Sequence, residues 1–433
     1  MDSPIQAPPP KPPLRGRALV LLAAITCLLV LLWLLSPFPP GSARSPALSV
    51  AQPAPPQSLF AIEPQYDELW GFAGDLSVVK VGSKYGFIDK SGKIAIGPRF
   101  DEADSFSEEL ARIRIGSKYG FIDKTGKIVI NPQFERVGAF ASERARVKIG
   151  SKWGFIDKRG LIAIQPEFDD AYYFADGLGR VKIGSKWGYI DKNGDRVIPP
   201  QFDWAEPFAG EWARVGLDDK LGYINKTGSL AIPPQFDEAE NFAEGLALVA
   251  IGSKWGYIDR SGDLVISPQF NGADSFSDGL ARIWMGSKMG WLDKTGKIVI
   301  GPQFKGGGNF SEGLAQVWNG DQNAYIDKTG KIVIPFRFRG VGDFNEGLAR
   351  VRIGSKWGYI DKIGLIAIKP QFDRAENFAD GLARIRIGSK WGYIDKIGNQ
   401  IIPPQFDRAA NFDGGVARVV TDGKIGYLRN PLK

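Results

Sequence analysis

Nine aspartates recur at one position of this chain, among them Asp89, Asp123 and Asp395. Paired carboxylates are the machinery of general acid–base chemistry and of glycoside hydrolysis. Asn225 fills the same position once. Asparagine cannot exchange a proton, but it accepts the same hydrogen bonds from turn N–H groups two residues on. That replacement and the nine-fold recurrence assign the column to turns. Asp191-Lys192-Asn193-Gly194-Asp195 has the outline of a calcium loop, yet its Gly comes two positions early and Phe202 stands where a bidentate Glu is needed. There is no His and one Cys. Ser-His-Asp triads, Cys-His nucleophiles and His-bearing metal sites are therefore removed. No Walker loop, GxSxG elbow or dinucleotide fingerprint occurs. The expectation is a non-enzyme without cofactor or metal.

Binding chemistry has more candidates. Trp153, Trp187, Trp255, Trp357 and Trp391 share one column, which suits a ladder for glycans or peptides. The bland alternative is a ring covering the adjacent strand glycine, and Leu221, Met289 and Ile425 in the same column favour it. Arginines form a second column (Arg112, Arg146, Arg180 and others) and lysines a third (Lys84, Lys118, Lys152 and others). The formal charge of +7 does not make a nucleic-acid binder. Residues 1–59 hold four basic and one acidic residue, leaving 51 against 47 in the remainder. Acidic columns such as Glu108, Glu244 and Asp380 offset the stripes. Specificity is better sought where the pattern breaks. Trp284, Trp318, Lys305-Gly306-Gly307-Gly308 and the stretch 319–323, which includes Asp321, are such breaks. Repeat scaffolds bind through departures of this kind, although drift of an idle patch is the alternative.

All these positions are columns of one repeat. The string G-[YFW]-I-D-K-x-G recurs from Gly86 to Gly426 in steps of 34 residues, with Ala324 at the one missing member. Eleven copies cover residues 60–433. With 54 Gly and 29 Pro the chain cannot be mostly helical. Ala111-Arg112-Ile113-Arg114-Ile115 alternates as a half-buried strand does. A Gly-Ser-Lys turn, a second strand (Trp391–Asp395 in one copy), a hairpin glycine such as Gly126 and a third strand such as Lys127–Ile130 complete the unit. The prediction is an all-β array of eleven three-stranded antiparallel meanders, each with a loop. Two aromatic columns on that loop, Tyr66 to Phe406 and Phe72 to Phe412, are never polar, so they are expected to pack between neighbours. The array starts with third-strand material (Phe60-Ala61-Ile62) and stops after a second strand (Tyr427-Leu428). An open β-superhelix is the preferred arrangement, because eleven three-stranded blades make an unusual ring. A closed, propeller-like ring is the alternative, with the first strand completing the last blade.

The motif K-W-G-[YF]-I-D-K-x-G, followed by I-x-P-Q-F-D and F-x-[ED]-G-L-A-x-V, resembles the WG-repeat proteins, which are mostly bacterial. The resemblance spans 60–433; Tyr85, Tyr119, Leu221, Met289, Asn323 and Ile425 depart from the Trp position. It implies a β-rich repeat scaffold for binding and brings no catalytic residues.

Residues Ala18–Leu35 are uncharged and long enough to span roughly 27 Å as a helix. Lys11, Arg15 and Arg17 precede them, so residues 1–17 are expected to stay cytoplasmic. Ser36-Pro37-Phe38-Pro39-Pro40 is a poor cleavage site, which favours an uncleaved anchor over a signal peptide. Residues 36–59, with seven Pro, form a spacer of ~70 Å if extended. The sequence therefore predicts a single-pass membrane protein with its array outside the cytoplasm, periplasmic or extracellular. Its function would be to scaffold protein–protein interaction, or alternatively to bind envelope glycan as a lectin-like module. The partner is an unknown protein or glycan, and nucleic acid is not expected.

Overall fold

The computed structural model describes residues 58–433. The expected tail, the span 18–35 and the linker through residue 57 lie outside the described residues. Among the described residues every regular element is a β-strand, and no helix is long and apolar enough to cross a membrane.

Each repeat is one antiparallel sheet, here called a blade. In residues 101–134 the strands Glu102–Ala103, Ala111–Ile115, Lys118–Ile122 and Ile128–Phe134 pair in chain order. The last three are the expected meander. The first is an addition: two residues of the presumed loop pair with the next strand, Glu102 opposite Arg114 and Ala103 opposite Ile113. A two-residue strand has no room to display a period of two, so the alternation rule has nothing to act on there.

The alternation decides which neighbour each side chain meets. Ala111 and Ile113 are buried in a cluster with Phe87, Ile96 and Phe100 of the preceding blade. Arg112, between them in sequence, points the other way and donates to Val137 O of the following blade. Blades therefore stack face to face, and eleven apolar clusters form in which each draws on two neighbouring blades.

Two glycines per unit have a steric reason. The fourth strand bulges over the third, with register shifts between Tyr119, Phe121 and Ile122. A Cβ on Gly120 would lie 2.4 Å from Ile130 O and 2.7 Å from Pro132 N, closer than backbone atoms allow. Gly126, in the hairpin between these strands, has φ +85°, and a Cβ there would lie 2.9 Å from Ile96 of the preceding blade.

The array is closed. Phe60–Tyr66 pairs antiparallel with Lys424–Arg429, so the first residues supply the outermost strand of the last blade. This corrects the preference for an open superhelix and takes the alternative. The physical reason is visible in the closing contact, which repeats the internal one. Lys84 binds Asp101 and Lys186 binds Asp203, each pair 17 residues apart. Lys424 binds Asp67 across 357 residues, which is eleven repeats less those 17. An open array would leave two apolar faces in water. Here Ile62, Tyr66, Leu69, Val79, Ile425 and Tyr427 share one buried cluster. Each blade contributes a fourth strand, which answers the objection that three-stranded blades make an unusual ring.

Two outcomes test this architecture. Gly188→Val places a side chain 2.5 Å from Ile198 O, and a loss of about 3 kcal/mol or more is expected in a denaturant titration, beyond the usual range for overpacking a core site. Deleting residues 58–66 should lower the melting temperature of the whole array and expose a pairing edge that drives self-association. An unchanged melt and a monomeric elution would contradict closure.

Candidate functional site

The recurrent polar and aromatic columns meet at the interfaces between blades. The aromatic after Gly in each G-[YFW] pair stacks on a loop Phe of the next blade. Phe121–Phe140, Tyr189–Phe208 and Tyr393–Phe412 are examples at 4.8–5.0 Å. The pair is present at all eleven interfaces, including Tyr427–Phe72 at the closure. Where the ring is tyrosine, its hydroxyl donates to a backbone carbonyl of the next blade, as in Tyr325 to Gly342 O at 2.6 Å and Tyr359 to Glu376 O at 2.7 Å. Burial pushes the hydroxyls of Tyr189, Tyr223, Tyr257, Tyr325 and Tyr393 well above their ordinary value of 10.0.

The charged columns are used in the same way. Seven column arginines, from Arg112 to Arg384, donate to a carbonyl of the next blade. The acidic column accepts turn N–H groups of the next blade, as Glu244 does from Asp278 N and Gly279 N. The recurring aspartates close their own turns. Asp123 Oδ1 accepts from Thr125 N, Thr125 Oγ1 and Lys127 N, and Asn225 does the same with Thr227 and Ser229. The neighbouring hydroxyl is the main cause that holds Asp89, Asp123, Asp259, Asp293 and Asp327 below the usual carboxylate range. A general acid at neutral pH needs the opposite shift. Asp191 is likewise an ordinary turn residue, accepting from Asn193 N and Asp195 N.

The Trp column is half-buried. Each ring pairs across the sheet with a Phe of the fourth strand, as Trp153 does with Phe168. Cations lie over most of them: Arg146 and Lys148 at Trp153, Arg180 and Lys182 at Trp187, Arg350 and Arg352 at Trp357, Arg384 and Arg386 at Trp391. Trp255 instead neighbours Leu248 and Ala250, the latter directly opposite it. The column is thus a structural layer of ring and guanidinium. Its partner glycine is required by the bulged fourth strand and not by the ring.

The irregular stretch has its own packing logic. Trp318 stands opposite Gly306, and a Cβ on that glycine would lie 2.2 Å from the indole. A Cβ on Gly307 would meet Met289 and Trp291, and one on Gly308 would meet Gln316. Trp284 likewise lies opposite Gly272. In the first two blades a charge pair fills this place, Lys80–Glu68 and Arg114–Glu102. The triple glycine therefore accommodates large neighbours. Lys305 and Asp321 remain exposed on the same edge. A groove of about 340 Å³ lies there, lined by Gly320, Asp321, Asn323, Arg339 and Arg352.

One functional column was not singled out in the sequence. The residue that opens each unit, such as Asp101, takes the column lysine of the preceding blade and a turn N–H of its own blade. Eight interfaces carry this lysine–carboxylate clip. Three consecutive ones lack it, because the pairs there read Lys254 with Asn271, Lys288 with Lys305, and Gln322 with Arg339. The missing signal was available as a 17-residue offset between two columns. It becomes meaningful only once the offset is known to be a contact.

A family model described as WG containing repeat matches eleven consecutive segments, from 60–85 to 391–424. No curated protein matches the chain. Among solved structures, the extracellular domain of a hybrid two-component system from B. thetaiotaomicron matches at 9% identity and TM-score 0.27, over 82% of this chain and 60% of that one. A eukaryotic initiation factor matches at 11% and 0.36, over 82% and 98%. PorZ, a surface component of the type-IX secretion system of Porphyromonas gingivalis, matches at 12% and 0.25, over 83% and 63%. The chain thus spans less than two thirds of the first and third of these, and none of the likenesses bears on what it binds.

Two outcomes follow from the interface chemistry. A tyrosine whose ionisation is raised by folding stabilises the ring fully below its ordinary value of 10.0 and loses that contribution as pH rises further. Tyrosinate absorbance and circular dichroism should therefore change together above pH ~10, and Tyr325→Phe should cost about 1 kcal/mol at neutral pH. Gly306→Ala should destabilise the ring, and Trp318→Leu in the same chain should relieve most of that loss; additive losses would contradict the ring-over-glycine contact.

Proposed function

This chain belongs to the family of WG-containing repeat proteins, and on that premise we propose that it is a binding ring. The ring is held outside the cytoplasm by the apolar segment 18–35, and it acts as a non-enzymatic scaffold that docks another protein. The observation that carries the reading is the interruption of the lysine–carboxylate clip at three adjacent interfaces. At the other eight interfaces the lysine and the carboxylate of this clip join the blades. Here Lys288, Lys305 and Arg339 are exposed and, among the described residues, make no ion pair. Asp321 is the one carboxylate in the groove beside Arg339 and Arg352. An arc of positive charge flanked by the half-exposed rings of Trp284 and Trp318 suits an acidic protein surface, with charge steering the encounter and the aromatic edges supplying contact area.

The lectin-like reading has less support. Sugar stacking needs an open ring face, and the column tryptophans are largely overlaid by guanidinium or ammonium groups. Trp318, which stands on the second strand of its blade and outside that column, is the exception to test; Trp284 is placed in the same way but lies under Arg282.

Residues 58–433, immobilised and exposed to an envelope extract, should retain one acidic protein that is lost with Lys305→Glu/Arg339→Glu. Both positions are exposed, so circular dichroism should be unchanged. Equal retention by the double variant would remove the arc as the docking face. Saturable quenching of tryptophan fluorescence by neutral envelope glycans, abolished by Trp318→Ala, would favour the lectin-like reading instead.

A further inference from the structure

A groove of about 840 Å³ lies between the tenth and eleventh blades. The geometry points to it as a binding site for a small ligand bearing two or more anionic groups, carboxylate or phosphate, with Arg418 and Arg408 as its principal contacts.

Elsewhere the column arginine is matched by groups within the ring. It pairs with a carboxylate four positions into its own blade, as Arg112 does with Asp104 and Arg282 with Asp274. Alternatively it pairs with the same position of the next blade, as Arg350 does with Glu376. Arg214 uses both, through Glu206 and Glu240. Arg146 and Arg180, which have no such carboxylate bond, stack on Tyr172 and donate to a carbonyl of the next blade.

Arg418 has none of these partners. The position in its own blade is Ala410, and the position in the next blade is Trp70. Among the described residues its guanidinium makes no hydrogen bond, ion pair or cation–π contact, and the side chain is exposed, unlike those of its half-buried counterparts. Arg408 is exposed beside it on the same groove and is also without a partner among the described residues. It stands where blades 1, 2 and 6 carry Glu68, Glu102 and Glu238. Arg384 of the tenth blade also lines the groove. Its Nη1 donates to Ala409 O and its Nη2 lies 3.9 Å from Glu376 of its own blade, while its Nε is buried with no partner.

The groove's own carboxylates do not neutralise these groups. Asp407 is taken by Lys390 and by Asp422 N, and Asp67 by Lys424 and by Gly82 N. Those two clips are each neutral. The groove therefore presents two unpaired guanidiniums, Arg418 and Arg408, beside the paired one of Arg384, and it is lined also by Trp391, Ile425 and Asn411. Guanidinium forks bind carboxylate and phosphate through two parallel N–H donors, and the volume falls in the range of small-molecule sites.

The corresponding groove one interface earlier provides an internal comparison. It holds Arg350, Arg352, Trp357 and Arg374, but also Glu376 bonded to Arg350, and its volume is about 300 Å³. Replacing that Glu by Ala410 removes the internal anion and enlarges the space. An external anion would occupy the vacated role.

Isothermal titration of residues 58–433 with tripolyphosphate, trigalacturonate and neutral maltotriose tests the assignment. At least one of the two anions should bind at micromolar concentration, more weakly as salt is raised, and maltotriose should not bind. Which anion binds tighter separates a phosphate source from a carboxylate source. Arg418→Ala should weaken binding tenfold or more. Ala410→Glu, which restores the repeat's own carboxylate, should abolish it, with unchanged circular dichroism in both variants. Lys305→Glu, in the arc between other blades, should leave it intact, so this site and the protein-docking face fail or succeed separately. No binding of either anion would overturn the proposal. So would binding that survives Ala410→Glu, or binding weakened equally by Lys305→Glu.

Discussion

The aromatic pair that crosses every blade boundary is the contact on which the rest depends. A four-stranded sheet of about 34 residues cannot bury enough apolar surface to offset its own ordering entropy. Pairing the ring at Phe121 or Tyr189 with a Phe of the next blade gives each sheet a second layer, and the next sheet requires the same. Aromatic contacts of this geometry contribute about 0.5–1.5 kcal/mol beyond their buried area. Their importance here lies in recurrence, since no interface is without one.

Closure follows from that recurrence. Every blade has one face that offers rings and arginines and another that offers small residues, loop Phe and carbonyls. A stack of such units ends with one unmatched face of each kind. The ring joins them, and the closing interface reuses the internal set: Lys424 on Asp67, Tyr427 on Trp70 O and Tyr427 against Phe72. Phe60–Tyr66 also covers the edge that Lys424–Arg429 would otherwise present, which removes an aggregation-prone strand.

Function is then confined to what the interfaces leave over. The clip lysines, the column arginines that donate to the next blade and the acidic column join neighbours, while the Asp column closes turns, so the abundance of charge says little about ligands. The informative places are those where a partner is missing from the pattern. Lys288 facing Lys305 and Arg418 facing Ala410 are two such places, and they lie on different blades with different surroundings. The first is an exposed arc suited to a macromolecule, and the second is a groove suited to a small anion.

Much of this was legible in the chain alone. The 34-residue period, the alternation in Ala111–Ile115, the hairpin glycine at Gly126 and the unbroken Phe columns determined an all-β repeat with an aromatic core, because period-two patterning and invariant burial are local properties. The turn role of the Asp column followed from the single replacement by Asn225. Tertiary structure alone decided the two-residue first strand of the blade, the closed ring and the fate of the charged columns. A strand of two residues carries no period. Whether an array closes depends on the small rotation between successive blades, which no single unit encodes. The pairing of a lysine with an aspartate 17 residues on is invisible until the next blade folds back beside it, and only then do the places without a pair stand out.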